Sequence, residues 1–181
     1  MTGAVVWITG LPSSGKSTLA ARIVERLRAE GIAAAILDGD QIRTVLDPRP
    51  GYDPKSRSRF YGTLARLAAL LARQGLVAVV AATAHRRAFR ERARALAPRF
   101  IEVFVDVPLD VCAARDTKGL FAAAGRGAVT ELPGVGSGFE PPLAPDVVAD
   151  GGEDATAPGA VAALIRATDG QSSTPAPKAT P

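Results

Sequence analysis

Short unbroken apolar runs alternate along the chain with longer stretches in which apolar residues recur once per helical turn. Ala4 to Thr9 reads Ala-Val-Val-Trp-Ile-Thr and predicts a buried strand that ends in a Gly-rich turn. Leu19, Ile23 and Leu27 then fall about one turn apart on a helix that Gly31 stops. A second apolar run, Ile32 to Leu37, ends at Asp38-Gly39-Asp40. The Pro/Gly-rich loop Asp47 to Pro54 leads into a long helix ending near Gly75. Leu76 to Ala82 predicts a third strand, and Arg86 to Ala97 an Arg-rich helix closed by Pro98. Phe100 to Val107 predicts a fourth strand, and Leu109 to Arg115 starts another helix. Val147-Val148-Ala149 reads as a short last strand and Ala160 to Ala167 as a last helix.

Two stretches break the alternation. Residues 116–145 are rich in Gly and Pro, poorly periodic and too long for an ordinary connection, so they predict a functional lid. Residues 168–181 are rich in Ser, Thr, Pro and Ala with no apolar anchor, and predict a disordered tail. The expected organisation is one α/β domain over 1–167, with a mostly parallel five-stranded sheet between two helical layers. Ligands are then expected outside the carboxyl ends of the strands.

Composition narrows this picture. Of the 181 residues 47% are hydrophobic but only 5% aromatic, so Ala, Val and Leu must fill the core. The net charge is +4, with the arginines spread along the chain and no nucleic-acid-binding signature, so no nucleic-acid partner is expected. A single cysteine, Cys112, in an apolar stretch, allows no internal disulfide and reads as a core residue. No signal-peptide pattern or membrane-length apolar run is present, and the expectation is a cytoplasmic protein without a membrane partner.

The first turn carries the strongest chemistry. Gly10-Leu11-Pro12-Ser13-Ser14-Gly15-Lys16-Ser17 matches the P-loop pattern, with a strand before it and a helix after it. Glycines let the backbone wrap a phosphate, and exposed N–H groups at a helix N-terminus supply donors and partial positive charge. Lys16 is placed to neutralise β/γ oxygens, Ser17 to ligate magnesium, and Thr18 to contact a phosphate. ATP is expected over GTP because no guanine-reading Asn-Lys-x-Asp segment is present. The fold expectation becomes a P-loop kinase-like three-layer domain, with ATP and Mg2+ as its nucleotide and metal.

Strand two ends in Asp38-Gly39-Asp40-Gln41-Ile42-Arg43. One carboxylate can hold the metal and the other can accept a proton from an attacking hydroxyl, with Asp40 or Asp38 as the base and Asp38 as the metal partner. Arg43, one helical turn after Asp40, suits an anionic acceptor. The same Asp-Gly-Asp is also an ordinary turn and helix cap.

With these residues in place the chain resembles the adenylylsulfate kinase family, P-loop kinases that phosphorylate the ribose 3′-hydroxyl of adenosine 5′-phosphosulfate in sulfate activation and assimilation. The family's Asp-Gly-Asp-x-x-Arg is met by Asp38 to Arg43, and its Gly-aromatic adenine-stacking loop by Gly51-Tyr52. A basic residue a few positions later is met by Arg57. The family's Arg-Asp-x-Lys-Gly-Leu-Tyr segment reads Arg115-Asp116-Thr117-Lys118-Gly119-Leu120-Phe121, and its lid motif reads Gly134-Val135…Phe139-Glu140-Pro141-Pro142. The resemblance implies ATP contacts from Arg115. It implies acceptor contacts from Asp38, Asp40, Arg43, Tyr52, Arg57, Thr83, Lys118 and Leu132. It also implies a homodimer.

Some acceptor-side positions depart from the family. Its Asn falls at Phe60, and two usual basic residues fall at Gly62 and Thr63. The Ser described in the family as phosphorylated falls at Ala84, so no phosphoserine forms there. Thr83 is the neighbouring hydroxyl, although strand alternation would turn it the other way. The second adenine-stacking aromatic falls at Leu132 and the lid's usual Asp at Gly136. These losses leave open a different nucleotide or nucleotide-linked acceptor, and a nucleotide-binding regulator without phosphotransfer is the alternative of another class. His85 reads either as a proton acceptor or phosphate donor facing the site, or as a surface residue in place of Pro. Arg87 matches a family Arg, while Arg86 and Arg90 are expected to be solvated.

Overall fold

The computed structural model describes residues 3–116, 118–127 and 132–169. The expected tail lies almost wholly outside them. In chain order the elements are β1 (Ala4–Gly10), α1 (Lys16–Ala29), β2 (Ala34–Asp38), α2 (Gly39–Val45), α3 (Pro54–Arg73), β3 (Val77–Ala81), α4 (Arg87–Leu96), β4 (Phe100–Val105), α5 (Leu109–Arg115), α6 (Leu120–Gly125), β5 (Val147–Ala149) and α7 (Ala157–Asp169). The sheet order is β2-β3-β1-β4-β5 and every pairing is parallel. The expected five-stranded α/β architecture is the observed one.

β1 lies at the centre of the sheet, and all seven of its residues are buried. Its alternate side chains feed two cores, as the strand period of two requires. Ala4, Val6 and Ile8 pack with Leu19, Ile23 and Leu27 of α1 and Val161 and Ile165 of α7. Val5 and Trp7 pack with Leu64, Ala65, Ala68 and Ala72 of α3 and Phe89 and Ala93 of α4. The alanine stripe on α3 replaces bulky side chains, as the composition implies. α3 begins where its sequence says it should: Asp53 caps it by accepting from the Ser56 N–H at 2.9 Å, and Pro54 occupies the first turn.

Two short helices were not expected. α2 follows β2 directly because the Asp38 side chain accepts from the Asp40 and Gln41 N–H groups, at 2.9 and 3.2 Å. α6 falls inside the expected lid, where Asp116 accepts from the Phe121 and Ala122 N–H groups at 3.0 and 2.9 Å. Neither helix is long enough to show a periodic pattern. Cys112 is buried, as expected. No helix among the described residues is long and apolar enough to cross a membrane.

Arg90 is a correction. It is 1% exposed, and its guanidinium donates to Glu102 at 2.8 Å, to the Ala84 carbonyl at 2.6 Å and to the Glu140 carbonyl at 2.6 Å. Arg94 donates to the second Glu102 oxygen at 3.0 Å. One buried ion pair thus ties α4 to β4, to the segment after β3 and to the chain near Glu140. Removing one partner of such a pair leaves an uncompensated buried charge. Glu102→Ala should therefore cost about 3 kcal/mol or more in urea unfolding. Glu91→Ala, which breaks an exposed contact to Arg94 at 3.8 Å, should cost less than about 1 kcal/mol.

Candidate active site

A cleft of about 1210 Å³ opens beyond the carboxyl ends of β1, β2 and β3. The loop from β1 to α1 forms one wall. Its backbone takes left-handed values at Ser13 and Gly15, with φ of 61° and 99°. Gly15 precedes α1 and meets a second glycine turn closely: a Cβ on Gly15 would lie 2.5 Å from the Gly152 nitrogen. Ser13 Oγ and Ser14 Oγ are buried without a hydrogen-bond partner. A curled backbone with unpaired hydroxyls suits an oxygen-rich anion.

Of the phosphate-loop residues, Pro12, Ser13, Gly15, Lys16, Ser17 and Thr18 line the cleft. Gly10, Leu11 and Ser14 do not: they lie behind that surface and shape the loop. Lys16 Nζ donates to the Leu11 carbonyl at 2.6 Å. Burial pushes the Lys16 pKa down to about 8, against a smaller upward pull from Asp40.

The two carboxylates after β2 have different surroundings. Asp38 is 6% exposed and off the cleft surface. Its Oδ2 accepts from the Ser17 hydroxyl at 2.5 Å while its Oδ1 caps α2. Asp40 lines the cleft, is 62% exposed at its side chain and forms an ion pair with Lys118. The open choice of proton acceptor between these two is thereby narrowed by access: only Asp40 faces the cleft.

The acceptor end is built around Arg43. Its guanidinium lies 3.7 Å from the Phe60 ring centre and 4.5 Å from that of Tyr52, and donates to the Gly51 carbonyl at 3.0 Å. Phe60 is buried, whereas Tyr52 is 57% exposed and lines the cleft. Arg57, Thr83, Arg115, Lys118 and Leu132 also line it. Thr83 reaches the cleft, contrary to the alternation argument, because β3 ends at Ala81 and the chain turns through Ala84 at φ 39°. The Thr9 hydroxyl holds the Thr83 carbonyl at 2.6 Å.

His85 fits neither expectation. It is 4% exposed, does not line the cleft and packs edge-on against Phe89, ring centres 5.5 Å apart. Burial, then Arg57 and Arg86, push its pKa down to about 4, so it is neutral near pH 7. It is neither an accessible proton acceptor nor a surface residue.

Sequence reasoning missed the 150–154 turn after β5. Asp150, Gly151, Gly152, Glu153 and Asp154 all line the cleft. A Cβ on Gly152 would lie 2.8 Å from the Gly15 carbonyl and 2.9 Å from the Thr18 Cβ, so the turn abuts the phosphate loop. The Gly-Gly doublet just after the last strand was the available signal. Among the described residues no group of three or more His, Cys, Asp or Glu side chains is placed to hold a metal.

A strand–loop–helix phosphate cradle on a parallel sheet, with a second carboxylate-bearing strand end opposite it, defines a P-loop phosphotransferase. The adenylylsulphate kinase family model matches residues 2–150, and the chain belongs to that family. It is 45% identical over 150 residues to the adenylyl-sulfate kinase of Paraburkholderia xenovorans, covering 81% of this chain and 82% of that protein. It is 43% identical over 145 residues to that of Burkholderia ambifaria, covering 79% of this chain and 80% of the other. Its fold matches the Mycobacterium tuberculosis APS kinase CysC in complex with AMPPNP and APS, with a TM-score of 0.81 and 33% identity over 93% of this chain and 98% of that one.

The depressed Lys16 pKa gives a signed pH prediction. Bound phosphates favour the charged ammonium, so above the free-state pKa of about 8 binding must first take up a proton. Affinity for a non-hydrolysable ATP analogue should be flat below about pH 8 and fall above it, by up to about tenfold per pH unit. Fluorescence titration across this range checks it, and Lys16→Met should remove the slope.

Proposed function

We propose that this chain transfers the γ-phosphoryl group of ATP to the 3′-hydroxyl of adenosine 5′-phosphosulfate. The observation that carries the reading is a single cleft with the Lys16 phosphate loop on one wall and Asp40, Arg43 and Tyr52 on the other. A donor phosphate and an acceptor hydroxyl brought together there need little further chemistry, because phosphoryl transfer is driven mainly by positioning and charge neutralisation.

Each residue then has a separate task. The phosphate-loop amides and Lys16 hold the β/γ oxygens. Lys16 exchanges the Leu11 carbonyl for phosphate oxygens, which stabilises its charged form. The Ser17 hydroxyl and the Asp38 carboxylate are hard oxygen donors suited to magnesium, which keeps most of its waters and arrives with the nucleotide. The metal supplies charge neutralisation on the phosphates. Asp40 takes the proton of the attacking 3′-hydroxyl. Lys118, already paired with Asp40, stands where it can turn to the transferring group. Arg115 and the 150–154 turn border the nucleotide side, and Arg57, Thr83 and Leu132 the acceptor side. The outer face of Tyr52 receives the acceptor adenine, and its inner face is braced by Arg43 over Phe60. The kinase domain spans 1–167, with 116–145 as the lid.

Turnover of adenosine 5′-phosphosulfate with ATP and magnesium, with the 3′-phosphorylated product identified by 31P NMR, tests the reading. No turnover of this acceptor alongside turnover of another nucleotide would refute it. Asp40→Asn should lower kcat by about 100-fold or more with little change in the KM for ATP, as expected for loss of a general base. Phe60→Leu removes the ring under Arg43 while keeping an apolar side chain. It should raise the acceptor KM about fivefold or more, from lost cation–π support of roughly 1 kcal/mol or more, and leave the KM for ATP unchanged. Initial-rate kinetics with each substrate varied in turn separates these effects.

A further inference from the structure

A second, smaller cavity of about 370 Å³ lies outside the cleft, between α3 and α4. Its lining is Ser58, Arg59, Gly62, Thr63 and Arg66 of α3 with Arg92 of α4. The spacing of Arg59, Thr63 and Arg66 puts them on one face of α3. Arg57, Phe60 and Tyr61 of the same helix line the main cleft instead, so the helix serves two cavities.

Gly62 shapes this place. A glycine inside a helix weakens it relative to alanine, and the C-terminal half of this helix is built of Leu, Ala and Arg. The space it leaves is used by cations: an added Cβ would meet Arg92 Nη1 at 3.0 Å and Arg66 Nη1 at 3.5 Å. Two guanidinium groups therefore converge on one point. Among the described residues each is held there by a neutral oxygen. Arg66 donates to the Thr63 hydroxyl at 3.2 Å, and Arg92 to the Ser58 carbonyl at 3.4 Å. Among the described residues no carboxylate forms an ion pair with Arg59, Arg66 or Arg92. Glu91, next to Arg92 in sequence, faces Arg94.

Two other arginine pairs are neutralised by a shared carboxylate. Arg90 and Arg94 share Glu102, and Arg26 and Arg166 share Glu30. Arg66 and Arg92 instead converge on one space, each with guanidinium N–H groups beyond its single neutral partner, and Arg59 lines the same cavity, an arrangement suited to a tetrahedral oxyanion. We propose that the Gly62 notch is a binding site for a small phosphate- or sulfate-type oxyanion, separate from the phosphotransfer cleft. Arg66 and Arg92 supply the forked donors, Arg59 the third charge, and the Thr63 hydroxyl a neutral contact. The proposal does not depend on which acceptor the cleft takes.

Isothermal titration calorimetry tests it on the full chain saturated with a non-hydrolysable ATP analogue and magnesium, so that the phosphate loop is occupied. Inorganic phosphate, inorganic sulfate and ribose 5-phosphate are the probes, each at low salt. The wild type should bind at least one of them with an equivalent that Arg66→Gln/Arg92→Gln weakens tenfold or more. Gly62→Ala, which places a methyl where Arg92 lies, should weaken it likewise while preserving helical circular dichroism and ATP-analogue binding. Binding of the inorganic ions but not of the sugar phosphate identifies the free ion as the ligand, and the reverse identifies an esterified phosphate. Equal binding by wild type and both variants overturns the proposal. So do heats no larger than those of sodium chloride at matched ionic strength, which indicate charge screening alone.

Discussion

The Asp38 carboxylate joins two structures that must stay in register. One oxygen takes the Ser17 hydroxyl at the start of α1, and the other takes the first free N–H groups of α2. The phosphate loop and the helix that carries Asp40 and Arg43 are thereby fixed to the end of β2. Parallel pairing of β2, β3 and β1 brings these strand ends to one edge of the sheet, so a single buried side chain spans the two halves of the cleft. Held by three hydrogen bonds and off the cleft surface, Asp38 is poorly placed to take a proton from a hydroxyl in the cleft. Asp40, two residues later, faces the cleft with Lys118 as its partner. Identical side chains in Asp-Gly-Asp thus divide through burial into a buried brace and a cleft-facing carboxylate.

The same logic governs the arginines. Arg43 is buried but needs no carboxylate, because two aromatic faces and backbone carbonyls satisfy it. Arg90 is buried and requires Glu102. The chain is rich in Arg and poor in Lys, and a planar, weakly hydrated guanidinium can be stacked or forked in ways an ammonium cannot. The two lysines that line the cleft, Lys16 and Lys118, put mobile point charges there rather than planar forks.

Much of this was legible in the chain. All five strands and the long helices follow from apolar runs and once-per-turn periodicity, and the phosphate loop follows from its spacing. What escaped has physical reasons. α2 and α6 are too short to show a period and depend on caps whose geometry is set only in the fold. Arg90 was read by type as solvated, yet it sits beside Phe89 and three residues before Ala93, on the buried face of α4. Its partner Glu102 stood in plain view as a carboxylate inside an apolar strand. His85 was read as facing the site just past β3 or as a surface residue; the strand ends four residues earlier, and the chain turn leaves the imidazole buried against Phe89. The 150–154 turn meets the phosphate loop through backbone contact between glycines, for which side-chain patterns carry almost no information.

The central claim is that Asp38 couples the nucleotide and acceptor halves of the cleft, and Asp38→Ala tests it most directly. Dissociation constants for a magnesium–ATP analogue and for the acceptor, measured separately on wild type and variant, are the readout. The account predicts that both weaken, each by about tenfold or more, since loss of a cap and a charged hydrogen bond is worth on the order of 1–2 kcal/mol at each end. Weakening of one ligand with the other unchanged would contradict it.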